Sequence, residues 1–284
     1  MALQNSKYNI TITPERRPFD LNLKELHSYR DLVMILAKKD FNQRYRQTVL
    51  GPAWAFINPF LTSLVHIFIF GTIANIGTGN TPQILFYLFS NNIWAVFSSC
   101  LNENSHTFLS YSSLFSKVYF PRIVAPISKT LVIFFRWCIQ TVVSLPFYIY
   151  FLAKGAIGPK YYLFILLPVI VIWMGILGSG IGMIVSSSTT KYRDLSMLVG
   201  FAVGLWMYIT PIVYPLSKLD GSPWRIFALI NPVSAPCELF RYILFGSGEV
   251  VPWSLLMSCF ITVVLSMIGI LVFNKVEKNF IDTV

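Results

Sequence analysis

Charge is what this sequence is short of. Of its 284 residues only 12% are Asp, Glu, Lys or Arg, against about 25% in soluble domains. A surface that faced water throughout would need more, so much of this one must face lipid. Acidic residues are the scarcer sign, 12 against 22 basic ones. Four cysteines do not make a disulfide framework. Cys100, Cys138 and Cys259 fall in apolar stretches, where thiols act as small hydrophobes, and Cys237 stands outside them. The histidines, His27, His66 and His106, are too scattered to suggest a metal site, and none is expected. Residues 1–20 contain no apolar core, so no cleavable leader is expected there and the first span must direct insertion. No GxxxxGK[ST] loop is present to cradle the phosphates of ATP. Glu103 is the only carboxylate inside the apolar stretches. That scarcity argues against a membrane enzyme such as a lipid-linked glycosyltransferase, which needs a carboxylate for metal or base work. It argues equally against a secondary carrier or flippase driven by protons.

What the chain does have is apolar length. It is 55% hydrophobic, with a mean hydropathy of +0.63. A bilayer-crossing helix needs about 20 mostly apolar residues. Residues 54–76, 84–104, 126–153, 161–187, 195–214 and 253–273 meet that requirement, the second with more polar residues than the others. The expectation is an all-α integral membrane protein of about six spans, occupying 53–284. With both termini inside, fifteen of the 22 basic residues fall on the cytosolic side and five outside. That asymmetry places both ends in the cytosol. The net charge of +10 is then mainly a topology signal, and no nucleic-acid partner is expected.

Two regions outside the spans carry pattern. Residues 1–22 read as an irregular cytosolic tail with Pro14 and Pro18, and 23–52 as an amphipathic helix with its linker. Leu26, Tyr29, Val33 and Leu36 recur at 3–4 spacing beside Leu32, followed by Lys38, Lys39, Arg44 and Arg46. Such a helix is expected in the headgroup plane, apolar side toward lipid and basic residues near anionic membrane lipids. The outer region 216–250 holds two short apolar pieces around Asn231-Pro232. Each is too short to span, so a re-entrant helical pair at the mouth of a pathway is expected.

Arg122, Lys129 and Arg136 are spaced by seven. With a helix starting at Pro126, Lys129 and Arg136 share one stripe and Arg136 lies about 15 Å along it. They form either a cationic track for an anionic headgroup such as pyrophosphate, or side chains that snorkel to the inner interface. Phe60, Tyr87, Trp94, Trp206 and Tyr208 are among many aromatics in spans one, two and five. These line a carbohydrate path or pack against core and lipid. Gly178 and Gly182 make a small-xxx-small pair for close helix packing. His66 is expected to bond to a neighbouring helix.

Four motifs in order carry a resemblance. Residues 40–59, DFNQRYRQTVLGPAWAFINP, resemble the approach to the first span in ABC-2 type permeases of bacterial polysaccharide exporters, through Asp40, Arg44, Tyr45, Arg46, Thr48, Leu50, Gly51, Trp54 and Pro59. LFSKVYFPR at 114–122 is similar to the family's first cytosolic coupling segment. KYRD at 191–194 is similar to the second, followed by TPIVYP at 210–215. INPVSAPCELFRYILFG at 230–246 resembles its periplasmic gate. The likeness runs from about residue 24 to 275 and is greatest to O-antigen export permeases, with teichoic acid and capsule exporters as near relatives. It implies a permease, not an enzyme, in the bacterial inner membrane. A second copy of the chain and two ATP-binding cassette subunits would complete the transporter; those subunits bind ATP and Mg, and this chain holds no cofactor. The substrate implied is a lipid-linked polysaccharide of the undecaprenyl-diphosphate type. Lys117, Tyr119, Phe120, Pro121, Arg122, Lys191, Tyr192, Arg193 and Asp194 are the implied ATPase-coupling residues. Asn231, Pro232, Glu238 and Arg241 are the implied gate residues. An exporter of another amphiphile shares the same motifs.

Overall fold

The second span, the more polar one, is the most deeply buried. In the computed structural model it is a helix, α4, Gln83–Ser105, and Ser90, Asn91, Asn92, Asn104 and Ser105 are all buried along it. Polar side chains in a membrane helix are stable where another helix supplies a partner, and α4 finds one on three sides. The structure describes residues 23–46, 48–115, 117–118, 120–189 and 194–280, with side chains from Leu26 to Val276. The tail 1–22 and the coupling candidates Tyr119, Lys191, Tyr192 and Arg193 lie outside the described residues.

Among the described residues every regular element is helical. Two helices, α1 (Leu23–Ser28) and α2 (Arg30–Tyr45), precede the first span. That span is a 3-10 turn, Gly51–Ala53, then α3 (Trp54–His66), then a π-helical stretch, Ile67–Ile73. After α4 comes a short helix, α5 (Thr107–Phe115), then α6 (Val124–Ala153). A 3-10 stretch, Tyr161–Leu166, leads into α7 (Leu167–Thr189). The chain continues with α8 (Leu195–Ile209), α9 (Trp224–Ile230), α10 (Ser234–Phe245) and α11 (Pro252–Phe280).

Among the described residues five helical segments are long and apolar enough to cross a membrane. The sixth, α8, is shorter than the expected 195–214. Fifteen residues reach only about 22 Å, against a hydrocarbon core of about 30 Å. It stops at Ile209 because Pro211 disfavours helical geometry in the residue before it. Thr210 is accordingly extended, with ψ 143°.

Small residues let α7 lie against α4 on one face and α11 on another. A Cβ on Gly178 would stand 2.4 Å from the Phe97 carbonyl oxygen, and one on Gly182 would stand 2.8 Å from that of Leu101. The sequence pair thus marks the α4 contact. On the other face a Cβ on Gly269 would meet the Gly180 carbonyl oxygen at 2.4 Å. Between helices, amides and hydroxyls complete the fit. Asn104 Nδ2 donates to Thr130 Oγ1 on α6 and Ser179 Oγ on α7. Asn91 Nδ2 donates to Ser63 Oγ on α3 and lies 3.3 Å from His66 Nδ1, so His66 does bond to a neighbouring helix.

The N-terminal region differs from its expectation in two ways. One helix over 23–47 is expected; the chain breaks at Tyr29 into α1 and α2. The apolar stripe is also turned inward. Leu26, Tyr29, Leu32, Val33 and Leu36 pack with Phe108, Tyr111, Phe115, Phe120 and Val124 in one cluster. The unanticipated helix α5 supplies Phe108, Tyr111 and Phe115 of that cluster, and burying a side chain such as Leu36 contributes about 1.5–3 kcal/mol. Met34 and Ile35 are the large apolar residues that α2 leaves exposed.

Candidate functional site

Polar residues recur at helical spacing on three apolar helices. Asn58 and Thr62 are four apart on α3, Arg136 and Gln140 four apart on α6, and Asn91 and Asn92 each seven before Ser98 and Ser99 on α4. Residues at these spacings share a helix face. The three faces meet around a cavity of 320 Å³, which Trp54, Trp94, Trp137 and Met207 also line. Small-molecule sites span about 300–1,000 Å³. Asn92 Oδ1, Trp137 Nε1 and Gln140 Nε2 are buried and have no hydrogen-bond partner among the described residues. The more accessible polar residues of the lining, Asn58, Thr62, Ser98, Ser99 and Arg136, favour a guest rich in hydroxyls.

Arg136 stands where the cavity meets a charged cluster. Its Nη1 donates to Glu103 Oε1 at 2.8 Å, and Arg44 Nη2 reaches the same oxygen at 2.7 Å. Lys129 Nζ donates to the Glu103 carbonyl oxygen at 2.8 Å and to Ser110 Oγ at 2.7 Å. The Tyr111 hydroxyl donates to Asp40. Burial, and then that bond, push the Tyr111 phenol well above its ordinary range, so it remains a donor. The cluster therefore joins α2, α4, α5 and α6. Lys129 and Arg136, expected on one stripe, both reach Glu103.

The other substrate-path candidates are dispersed. Trp94 lines the cavity with Arg136. Phe60 stacks on Phe56 nearby, and Tyr87 is buried against His66 and Phe86. Trp206 packs its edge on Phe97, while Tyr208 is exposed beside Phe70. Arg122 is buried over the Phe115 ring. In the segment 117–122 Phe120 is 4% exposed and Pro121 is buried too, both in the chain's own interior. Lys117 and Val118 are exposed among that segment's described residues, and Asp194 is exposed before α8, where its carboxylate accepts the Leu195 N–H.

The gate candidates gather at the Gln83 end of α4. The Asn231 side chain accepts from Trp206 Nε1 and Val233 N–H and donates to Thr210 Oγ1, tying α8 to the turn between α9 and α10. The Pro232 carbonyl accepts from Ser258 on α11. Arg241 donates to Glu238 and lies 4.6 Å above the Phe86 ring. Glu238 also accepts the backbone N–H groups of Leu216 and Glu249. Burial pushes its carboxyl up, and Arg241 with the two N–H groups pulls it back. Gly246 closes α10 at φ 73°, a conformation that suits glycine. A cavity of 590 Å³ opens here, lined by Phe86, Lys160, Ser217, Glu238, Arg241 and Ser247 among others.

Sequence reasoning missed Asn58, Thr62, Asn91, Asn92, Gln140, Trp54 and Trp137 as cavity residues, and Arg44 as an ionic partner. Polar residues four and seven apart within apolar spans were the available signal. The pairing of Arg44 with Glu103, 59 residues away along the chain, left none.

The description of the ABC-2 type transporter family matches residues 31–245. The O-antigen export system permease protein RfbA of Myxococcus xanthus is 29% identical over 213 residues, covering 74% of this chain and 79% of that protein. Two proteins of the same name from Klebsiella pneumoniae are 27% and 26% identical over 254 residues, covering 89% of this chain and 94% of each.

Proposed function

The chain belongs to the ABC-2 type transporter family, and from that premise we propose that it is the membrane-spanning subunit of an ATP-driven exporter of lipid-linked polysaccharide. The observation that carries the reading is the cavity between α3, α4 and α6. Its indole faces suit the apolar faces of sugar rings, and the polar side chains of Asn58, Thr62, Ser98 and Ser99 suit hydroxyls. Arg136 on its wall suits a diphosphate, since guanidinium groups bind phosphate oxygens in a fork. The names of its relatives, O-antigen export system permease proteins, support a polysaccharide as the substrate class; in this reading the polymer is carried on undecaprenyl diphosphate.

In this reading the protein lies in the bacterial inner membrane with both termini in the cytosol, as the distribution of Lys and Arg supports. Two ATP-binding subunits dock on the side of α2 and the 117–122 segment, and they supply the nucleotide and Mg. A second copy of the chain completes the conduit. The uncovered faces of the first span and α8, with Leu61, Val65 and Phe68 on one and Met197 and Phe201 on the other, are apolar enough to meet it. Asn231, Pro232, Glu238 and Arg241 belong to the exit. Deleting the gene and comparing surface polysaccharide with lipid-linked polymer retained in the cell tests the reading. Surface loss with internal accumulation is expected; surface loss without accumulation, or an unchanged surface, contradicts it.

A further inference from the structure

One oxygen atom in this protein serves two guanidinium groups. Glu103 Oε1 is 2.8 Å from Arg136 on the cavity wall and 2.7 Å from Arg44 on α2. Two like charges drawn to one acceptor repel each other, and that repulsion is relieved if either finds another anion. Neither arginine is deeply sealed: the side chains of Arg136 and Glu103 are 22% and 21% exposed, and that of Arg44 42%. An exchange of partners here need not strand a bare charge in hydrocarbon.

From this arrangement we infer that Glu103 is a positioning residue that links occupancy of the cavity to the N-terminal helix α2. The inference rests on the proposed diphosphate-lipid substrate. With the cavity empty, Glu103 holds Arg136 at the wall and shares its oxygen with Arg44. A diphosphate entering the cavity takes Arg136, because a bidentate guanidinium–phosphate contact is stronger than one bond to a shared carboxylate oxygen. Glu103 is then left to Arg44 alone, and α2 shifts to that single contact. Arg44 and Asp40 are one helical turn apart on α2, and Asp40 accepts from Tyr111 on α5. Leu36 on the same helix packs in one cluster with Phe115 and Phe120. A change at Glu103 thus reaches the exposed 117–118 segment through packed side chains. Lys129 fixes the backbone of Glu103 through its carbonyl, so the carboxylate can change partners while α4 stays in place.

Hydrogen–deuterium exchange over Arg30–Tyr45 tests this in the full chain with its ATP-binding partner in lipid nanodiscs. The probe is undecaprenyl diphosphate, with its binding measured separately on the same sample. Binding should change α2 exchange several-fold in the wild type, and should change it little in Glu103→Gln or Arg44→Gln. Glu103→Asp, which keeps the charge, should restore part of the response. Bound lipid with unaltered α2 exchange in the wild type overturns the link and leaves the substrate reading standing. A full response in Glu103→Gln also overturns it. Absence of lipid binding in the wild type removes the substrate reading and the link together.

Discussion

Each end of α4 meets a carboxylate with arginine for company, and the two arrangements differ in what surrounds them. At the Gln83 end, Glu238 and Arg241 are 3% and 1% exposed, one helical turn apart on the same helix. Glu238 also holds backbone N–H groups from two other segments, and Arg241 lies on Phe86 of α4. That carboxylate is a staple: three segments depend on it, and no partner can leave without stranding a charge. At the Ser105 end, Glu103 serves arginines from two different helices through one oxygen and stays within reach of water. The same chemistry supports a fixed joint at one end and an exchangeable one at the other. Burial and the number of independent partners make the difference.

Breaking the staple should have the largest effect. Glu238→Ala leaves Arg241 without its counter-ion and two backbone N–H groups unpaired. Removing one partner of a buried pair costs about 3–5 kcal/mol, so thermal unfolding of the detergent-solubilised protein should fall sharply. A variant as stable as wild type would show that the pair is not a staple. Gly178→Ala attacks the helix both ends share. The added methyl meets the Phe97 carbonyl, and overpacking of this kind costs about 1–3 kcal/mol. Its stability loss should lie between those of the two end variants.

Glu103→Gln should be far milder for stability. Partly exposed ion pairs contribute about 1 kcal/mol or less, so its melting temperature should stay near wild type while export falls. Unfolding on the scale of Glu238→Ala would erase the distinction between the ends. Gln140→Leu sharpens the case for the cavity. It removes a buried amide nitrogen that has no partner among the described residues, so stability should hold or rise while export drops. Unchanged export would remove Gln140 from the path. Arg44→Gln should be the smallest structural change, within about 0.5 kcal/mol, and its effect should appear only in the response of α2.

The class of fold was legible because lipid imposes a simple rule on composition and run length. The six apolar stretches correspond to five long helices and one shorter, and Pro211 explains the shortfall. Gly178 and Gly182 declared their contact through spacing alone. The lining of the candidate site is legible in part. Arg136 and Trp94, two of the path candidates, lie on one cavity. The aromatics Tyr87, Trp206 and Tyr208 did not join them, because an aromatic in a span has the same composition signature whether it faces a path, the core or lipid. The stripe on α2 gave the helix but not its partner. An apolar face fits lipid and protein equally well, and α5, which covers it, has no strong pattern of its own. The sharing of Glu103 by Arg44 and Arg136 is a tertiary fact that no local spacing encodes.

The most direct test of the account is the export activity of Arg136→Gln in cells lacking the native gene, with membrane insertion and abundance checked in parallel. The account predicts loss of surface polysaccharide, with lipid-linked polymer accumulating inside, from a variant that is made and inserted normally. Wild-type surface polysaccharide from that variant would contradict it, and would leave Arg136 as a side chain that merely reaches for the interface.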